Sequence, residues 1–286
     1  MIRFSRGDLQ LTVLDAGRLR LDGGAMFGVV PKPLWERERV PDGRNRIGLA
    51  MNLLLVQDGR RNLLVDTGAG PFWDDKLRDI YAIESRTAVE VLAPAGLAPE
   101  DVHVVLCTHL HFDHAGGNTE PDGRGGMRAA YPNAEYLVQQ GDLEVARWRN
   151  ERTRGSYLSH AFEPLVAEKR LRTLEGEVDL GGGVSVLLAP GHTPWLQLPR
   201  ITTAEGTVLF LADLVPTASH LRYPWIMGYD LEPLRTLEAK KRLLPQAARE
   251  GWWLVLEHDP ELPLVRLEER DGKLVAHRPV PLEQEV

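Results

Sequence analysis

HVVLCTHLHFDHAGG, residues 103–117, is an apolar run that ends in four metal-binding side chains within six positions: His109, His111, Asp113 and His114. The run itself predicts a buried strand over His103 to Cys107. If extended backbone persists beyond it, the period of two sends His109 and His111 to one side, within reach of a single ion. Ala115, Gly116 and Gly117 then allow the chain to turn, so that Asp113 and His114 face a second position beside the first. Imidazole combined with carboxylate suits zinc and also admits iron or manganese. In a chain of this composition an HxHxDH match arises by accident on the order of once in two thousand. Ordinary surface histidines are therefore a poor account of it.

Six consecutive residues cannot surround two ions, and three more candidates stand where apolar runs emerge. His192 follows VSVLLAPG, Asp213 follows TVLFLA and His258 follows WWLVLE. Side chains at such strand ends converge on one edge of a sheet. Singly, each reads equally well as a cap or turn residue; together with the motif they form a set.

The remaining sequence supplies the scaffold. Apolar runs predict strands at Leu9 to Leu14, Met51 to Val56, Asn62 to Val65, Glu135 to Val138, Val184 to Leu188, Thr207 to Leu211, Trp252 to Leu256 and Lys273 to His277. Three- and four-residue spacing predicts helices at Ser85 to Leu92, Gly141 to Arg149 and Glu232 to Ala248. The mixture implies a layered α/β fold. Asp22 to Gly48 and Gly116 to Pro132 lack periodicity and read as long loops. The first carries Met26, Phe27, Val29, Val30, Leu34 and Trp35, which suit a cap over a pocket, a satellite of the core or a homodimer contact.

Composition excludes several roles. With 43% hydrophobic and 26% charged residues, the 286-residue chain has the makings of a sizeable core. A formal charge of -7, with no basic stripe, argues against nucleic acid as a partner. No apolar stretch is long enough for a membrane span and the first residues alternate in polarity, so a soluble cytoplasmic protein acting on a small-molecule substrate is expected. Cys107, the only cysteine, falls in an apolar run and reads as a packed thiol.

The pattern resembles the metallo-β-lactamase superfamily. In that family HxHxDH is followed by a His in a GHTPG-like turn, here PGHTP with His192, then by a bridging Asp, here LAD with Asp213, and by a final His, here LEHDP with His258. The resemblance implies a four-layer αββα sandwich spanning residues 1–286 as one domain, with insertions near 22–48 and 116–165. It assigns His109, His111 and His192 to one divalent ion, and Asp113, His114 and His258 to the other, with Asp213 between them. Zinc is the first expectation for both ions. LLVDTGAG, Leu63 to Gly70, resembles an early family segment in which Asp66 supports the site without being a ligand. The implied activity is hydrolysis of a small ester, lactone or phosphoester by a hydroxide shared between the ions, with Asp113 as the catalytic proton carrier. Two alternatives stand beside it: a mononuclear-iron dioxygenase of the persulfide type, and a non-catalytic metal-binding protein.

The layout looks closest to the lactonase and organophosphate-hydrolase-like branch, with two departures. Pro216 stands where lactonases of this type often carry Tyr, and Trp195 replaces a Gly in the GHTPG-like turn. Trp195 is expected to pack in the core or to form a pocket wall. His160 and His220 fall in loop-like segments as candidate pocket residues, whereas His103 and His277 read as bystanders.

Overall fold

The apolar runs become the strands of two large sheets in the computed structural model, which describes residues 1–279 and the short strand at 284–285. In the first sheet the spatial order is Leu171–Leu174, Glu135–Gln139, Val104–Leu106, Asn62–Val65, Arg46–Gln57, Leu9–Asp22, Ile2–Arg6 and Gln284–Glu285, with Glu84–Ser85 added to Leu9–Asp22. Its first four strands run parallel and the others antiparallel. The second sheet orders Asp179–Gly181, Val184–Leu188, Gln197–Thr203, Gly206–Phe210, Trp253–Val255, Leu264–Arg270 and Lys273–His277. Only Gly206–Phe210 and Trp253–Val255 pair in parallel there.

The two faces of a central strand go to different partners. Within Arg46–Gln57, Leu54 and Val56 join the core shared by the two sheets, whereas Leu53 and Leu55 join the core on the far side. A sheet covered on both faces explains why this stretch is continuously apolar instead of alternating. Ala88–Leu92, Gln140–Arg147 and Glu163–Ala167 bury Val91, Leu92, Leu143 and Leu165 against the first sheet. Pro233–Glu250 covers the second sheet with Leu243, Leu244 and Ala247. The result is the four-layer αββα arrangement.

The long helix begins with Pro233, whose missing N–H is no loss in a first turn, and ends at Gly251 in the left-handed region. The three expected helices are present as Ala88–Leu92, Gln140–Arg147 and Pro233–Glu250. Both expected loops contain structure. Asp22 to Gly48 holds the short helices Gly23–Phe27 and Lys32–Trp35, and Gly116 to Pro132 holds a hairpin of Thr119–Pro121 with Met127–Ala129. Among the described residues no helix is long and apolar enough to cross a membrane.

Candidate metal centre

The first sheet contributes HxHxDH from the end of Val104–Leu106; the second contributes His192, Asp213 and His258 from the ends of Val184–Leu188, Gly206–Phe210 and Trp253–Val255. Close backbone approach shapes the first part. A Cβ on Gly116 would lie 2.3 Å from the Ala69 carbonyl oxygen, and one on Gly117 equally close to that of Thr67. Only glycines let the short helix Phe112–Ala115 run on beside the Asp66 loop. Asp66 and Ala212 both occupy the left-handed region, at φ 56° and 42°. Such strain is retained where the surrounding structure fixes it, and here it lies beside the site.

The side chains converge as two groups. His109, His111, His192 and Asp213 bring one ligand atom each to within 4.8 Å of the others, and Asp113, His114 and His258 do the same. His192 Nε2 stands 2.9 Å from His111 Nδ1 and 2.9 Å from Asp213 Oδ2. His258 Nε2 stands 3.2 Å from His114 Nε2 and 3.1 Å from Asp213 Oδ1. Asp213 thus stands between the two groups, its Oδ2 also 3.5 Å from His114 Nε2. His258 Nε2 is also 3.8 Å from Asp113 Oδ2. All seven side chains are buried.

The outer nitrogens decide the tautomers. His192 Nδ1 donates to Asp230 Oδ1 at 3.0 Å, and His258 Nδ1 to the Ala50 carbonyl at 2.8 Å. His114 Nδ1 donates to Asp66 Oδ2 at 3.0 Å, with Glu257 Oε2 only 2.9 Å away. Thr108 Oγ1 donates to Asp66, which leaves it to accept from His109 Nδ1 at 3.0 Å. With these protons on the outside, the neutral rings of His109, His114, His192 and His258 have their lone pairs on the inner nitrogens, turned toward the centre. His109 Nε2 has no hydrogen-bond partner at all. Facing lone pairs repel, and a buried polar atom without a partner is costly. Divalent cations between them resolve both, so the residues fit a pair of ions.

Electrostatics shows what the ions would displace: with none bound, Asp213 favours a second, inward proton on His114, His192 and His258. Burial, followed by neighbouring imidazoles, pushes His109 and His111 far below the usual histidine range. Burial acts likewise on His192 and His258, but carboxylates overcome it. Asp213 and Asp230 raise His192 to about 10, and Asp213 with Glu257 raises His258 to about 9. Asp213 itself, despite its burial, is held far below the usual carboxylate range by His192, His114 and His258.

A cavity of about 540 Å³ opens above the centre, floored by His111, Asp113, His192, Asp213 and His258. Leu21, Ala25, Met26, Leu49, Met227 and Leu231 give it an apolar wall, and Tyr81, Arg152, Ser156 and Tyr229 a polar rim. The segment after Asp22 is therefore pocket wall and core at once: Met26, Phe27 and Trp35 are buried, whereas Val29 is 91% exposed. Neither His160 nor His220 lines the cavity. His220 instead stacks on Phe27, its ring 4.9 Å away and nearly parallel, and its Nε2 donates to the Met26 carbonyl. Trp195 also stays outside, its ring lying on Gly141 where a Cβ would come within 2.1 Å. His103 accepts from the Asn62 backbone away from the site, and His277 belongs to the edge strand Lys273–His277. Beneath the motif, Cys107 is sealed against Asn118, and burial pushes its thiol far above the usual range.

Comparison with known proteins gives the same family. The sequence model of the metallo-beta-lactamase superfamily matches residues 47–258. An N-acyl homoserine lactonase of a Bacillus species is 31% identical over 224 residues, covering 73% of this chain and 80% of its own. The N-acyl homoserine lactonase of Bacillus cereus is 29% identical over 232 residues, covering 76% and 84%. A probable metal-dependent hydrolase from Staphylococcus aureus superposes with a TM-score of 0.89 at 28% identity, over 99% of this chain and 100% of that one. AidC, a dizinc quorum-quenching lactonase, superposes at 0.80 over 97% and 96%, and at 20% identity that likeness concerns the fold.

Proposed function

The chain belongs to the metallo-beta-lactamase superfamily, and on that premise we propose that it hydrolyses lactones and related carboxylic esters with two divalent ions, zinc first among them. His109, His111 and His192 would hold one ion, Asp113, His114 and His258 the other, and Asp213 both. The observation that carries this reading is the convergence of inner ring nitrogens on Asp213, with the outer nitrogens held by Asp230, Ala50, Asp66 and Thr108. The lactonases among the relatives support the choice of substrate class.

Bound divalent ions would acidify a water and polarise the scissile carbonyl. The chain's own residues do the rest. The apolar wall from Leu21 to Met26, with Leu49 and Met227, takes the acyl part and keeps bulk water from it. Asp113 lines the floor, and we give its carboxylate the transfer of a proton to the leaving oxygen. Pro216 has no hydroxyl to orient an acyl oxygen. Tyr81 and Tyr229 line the same cavity, and among the described residues neither hydroxyl has a hydrogen-bond partner. We assign them that orienting part.

The single-iron dioxygenase is not favoured, because Asp113, His114 and His258 make a complete second group. Protein reconstituted with zinc, iron or manganese should turn over acyl lactones and aryl esters in a panel that also includes phosphotriesters. Asp213→Ala should lower both metal content and kcat/KM, the latter by more than about a hundredfold. One iron per chain with no hydrolysis, or an Asp213→Ala variant that keeps its metal and its rate, would sink the reading.

A further inference from the structure

Arg152 is the only Arg or Lys among the described residues that line the cavity over the metal centre. It lies in the turn between Gln140–Arg147 and Tyr157, and its Nη2 donates to the Gly228 carbonyl at 2.9 Å. Among the described residues no carboxylate stands within ion-pair distance of it, which sets it apart from Arg147, Arg172 and Arg222, each paired with a glutamate. The carboxylates of the cavity are committed elsewhere. Asp113 and Asp213, the two in its lining, belong to the metal groups; Asp22, outside the lining, caps Gly23–Phe27 by accepting from Ala25. Away from the metal groups the cavity lining therefore carries one cation and no carboxylate.

We propose that Arg152 is a specificity-determining residue that recognises a carboxylate at the end of the substrate remote from the scissile carbonyl. The inference rests on the hydrolase reading of the floor and narrows its substrate class to esters and lactones with an apolar body and an acidic terminus. The planar guanidinium matches a carboxylate with paired donors, and the one bond to Gly228 holds the side chain across the mouth while leaving most of its donors open. Arg152 is exposed, so solvent limits its contribution to about fivefold in affinity.

Calorimetry on the metal-loaded protein separates this proposal from the catalytic one. The probes are dicarboxylates from succinate to sebacate, each compared with the monoacid of equal length. At the chain length that spans floor to rim, the dicarboxylate should bind about fivefold more tightly, beyond the statistical factor for two equal ends. Raising the salt concentration should shrink that advantage. Arg152→Gln should abolish it and Arg152→Lys retain part of it, whereas Arg154→Gln, on the same turn but outside the cavity lining, should keep it whole. No advantage at any length, or one that survives Arg152→Gln, overturns the proposal. So does an equal loss in Arg154→Gln, or an Arg152→Gln variant whose only change is a lower Tm, since that would make Arg152 a strap between loops. Selective dicarboxylate binding without turnover of any ester would leave the Arg152 subsite standing and remove the hydrolase reading.

Discussion

The orienting carboxylates control the centre from outside it. Asp230 takes the outer proton of His192 and is itself held by Thr236 Oγ1 at 2.6 Å. Removing such a partner frees the ring to rotate and to change tautomer. Asp230→Ala should weaken metal binding by about 10- to 100-fold, measured by competition with a coloured chelator; an unchanged dissociation constant would refute the role. Seven predicted ligands converge in the structure, whereas Asp230 and Glu257 were invisible in the sequence. A ligand motif is a local pattern of chemically rare residues. A carboxylate that touches the back of an imidazole is one acidic residue among 41, and only the fold shows which one it is.

Short elements depend on what they touch. Gly23–Phe27 begins with two glycines, poor helix formers, and so read as a loop. The Asp22 cap, the burial of Met26 and Phe27, and His220 beneath them hold it in place. His220 accepts from Thr217 and donates to Met26, a pattern that requires the neutral ring, and burial pushes its pKa down to about 4. Because the folded value lies below the unfolded one of about 6.5, the unfolded chain binds the proton first. Stability from this group is complete above about pH 6.5 and is lost as pH falls towards 4, by about 3 kcal/mol in all. Urea midpoints at pH 5 and pH 7.5 should therefore differ more for the parent than for His220→Leu. Equal differences would mean that His220 does not carry this sensitivity. Gln197–Thr203 escaped sequence reading for the opposite reason. Pro199 argues against a central strand, yet the strand lies between Val184–Leu188 and Gly206–Phe210, with Pro199 opposite Val186.

At the scale of the molecule, the centre is a joint between two sheets. Four candidate ligands come from the first and three from the second, and nearby polar contacts join the same edges. Asn52 Nδ2 donates to the carbonyls of Leu256 and Asp259, and Gln197 Nε2 to that of Cys107. Ions held there bind the docked sheets and not the separated ones, so their binding energy adds to stability. Stripping the metal should lower Tm by several degrees and broaden the calorimetric transition, and reloading should reverse both; a Tm indifferent to chelation would contradict a joint of this kind. The layered architecture was legible because buried strands announce themselves as apolar runs. The pairing of edges was not, because it depends on contacts between residues as far apart as Asn52 and Asp259.

Cys107 lies at the root of the motif, sealed against Asn118 and inert while the edge stays closed. As the only thiol in the chain, it is a natural stopwatch. The rate at which a coloured disulfide reagent modifies the native protein counts the moments when this edge breathes open, with no label introduced and no residue of the centre altered.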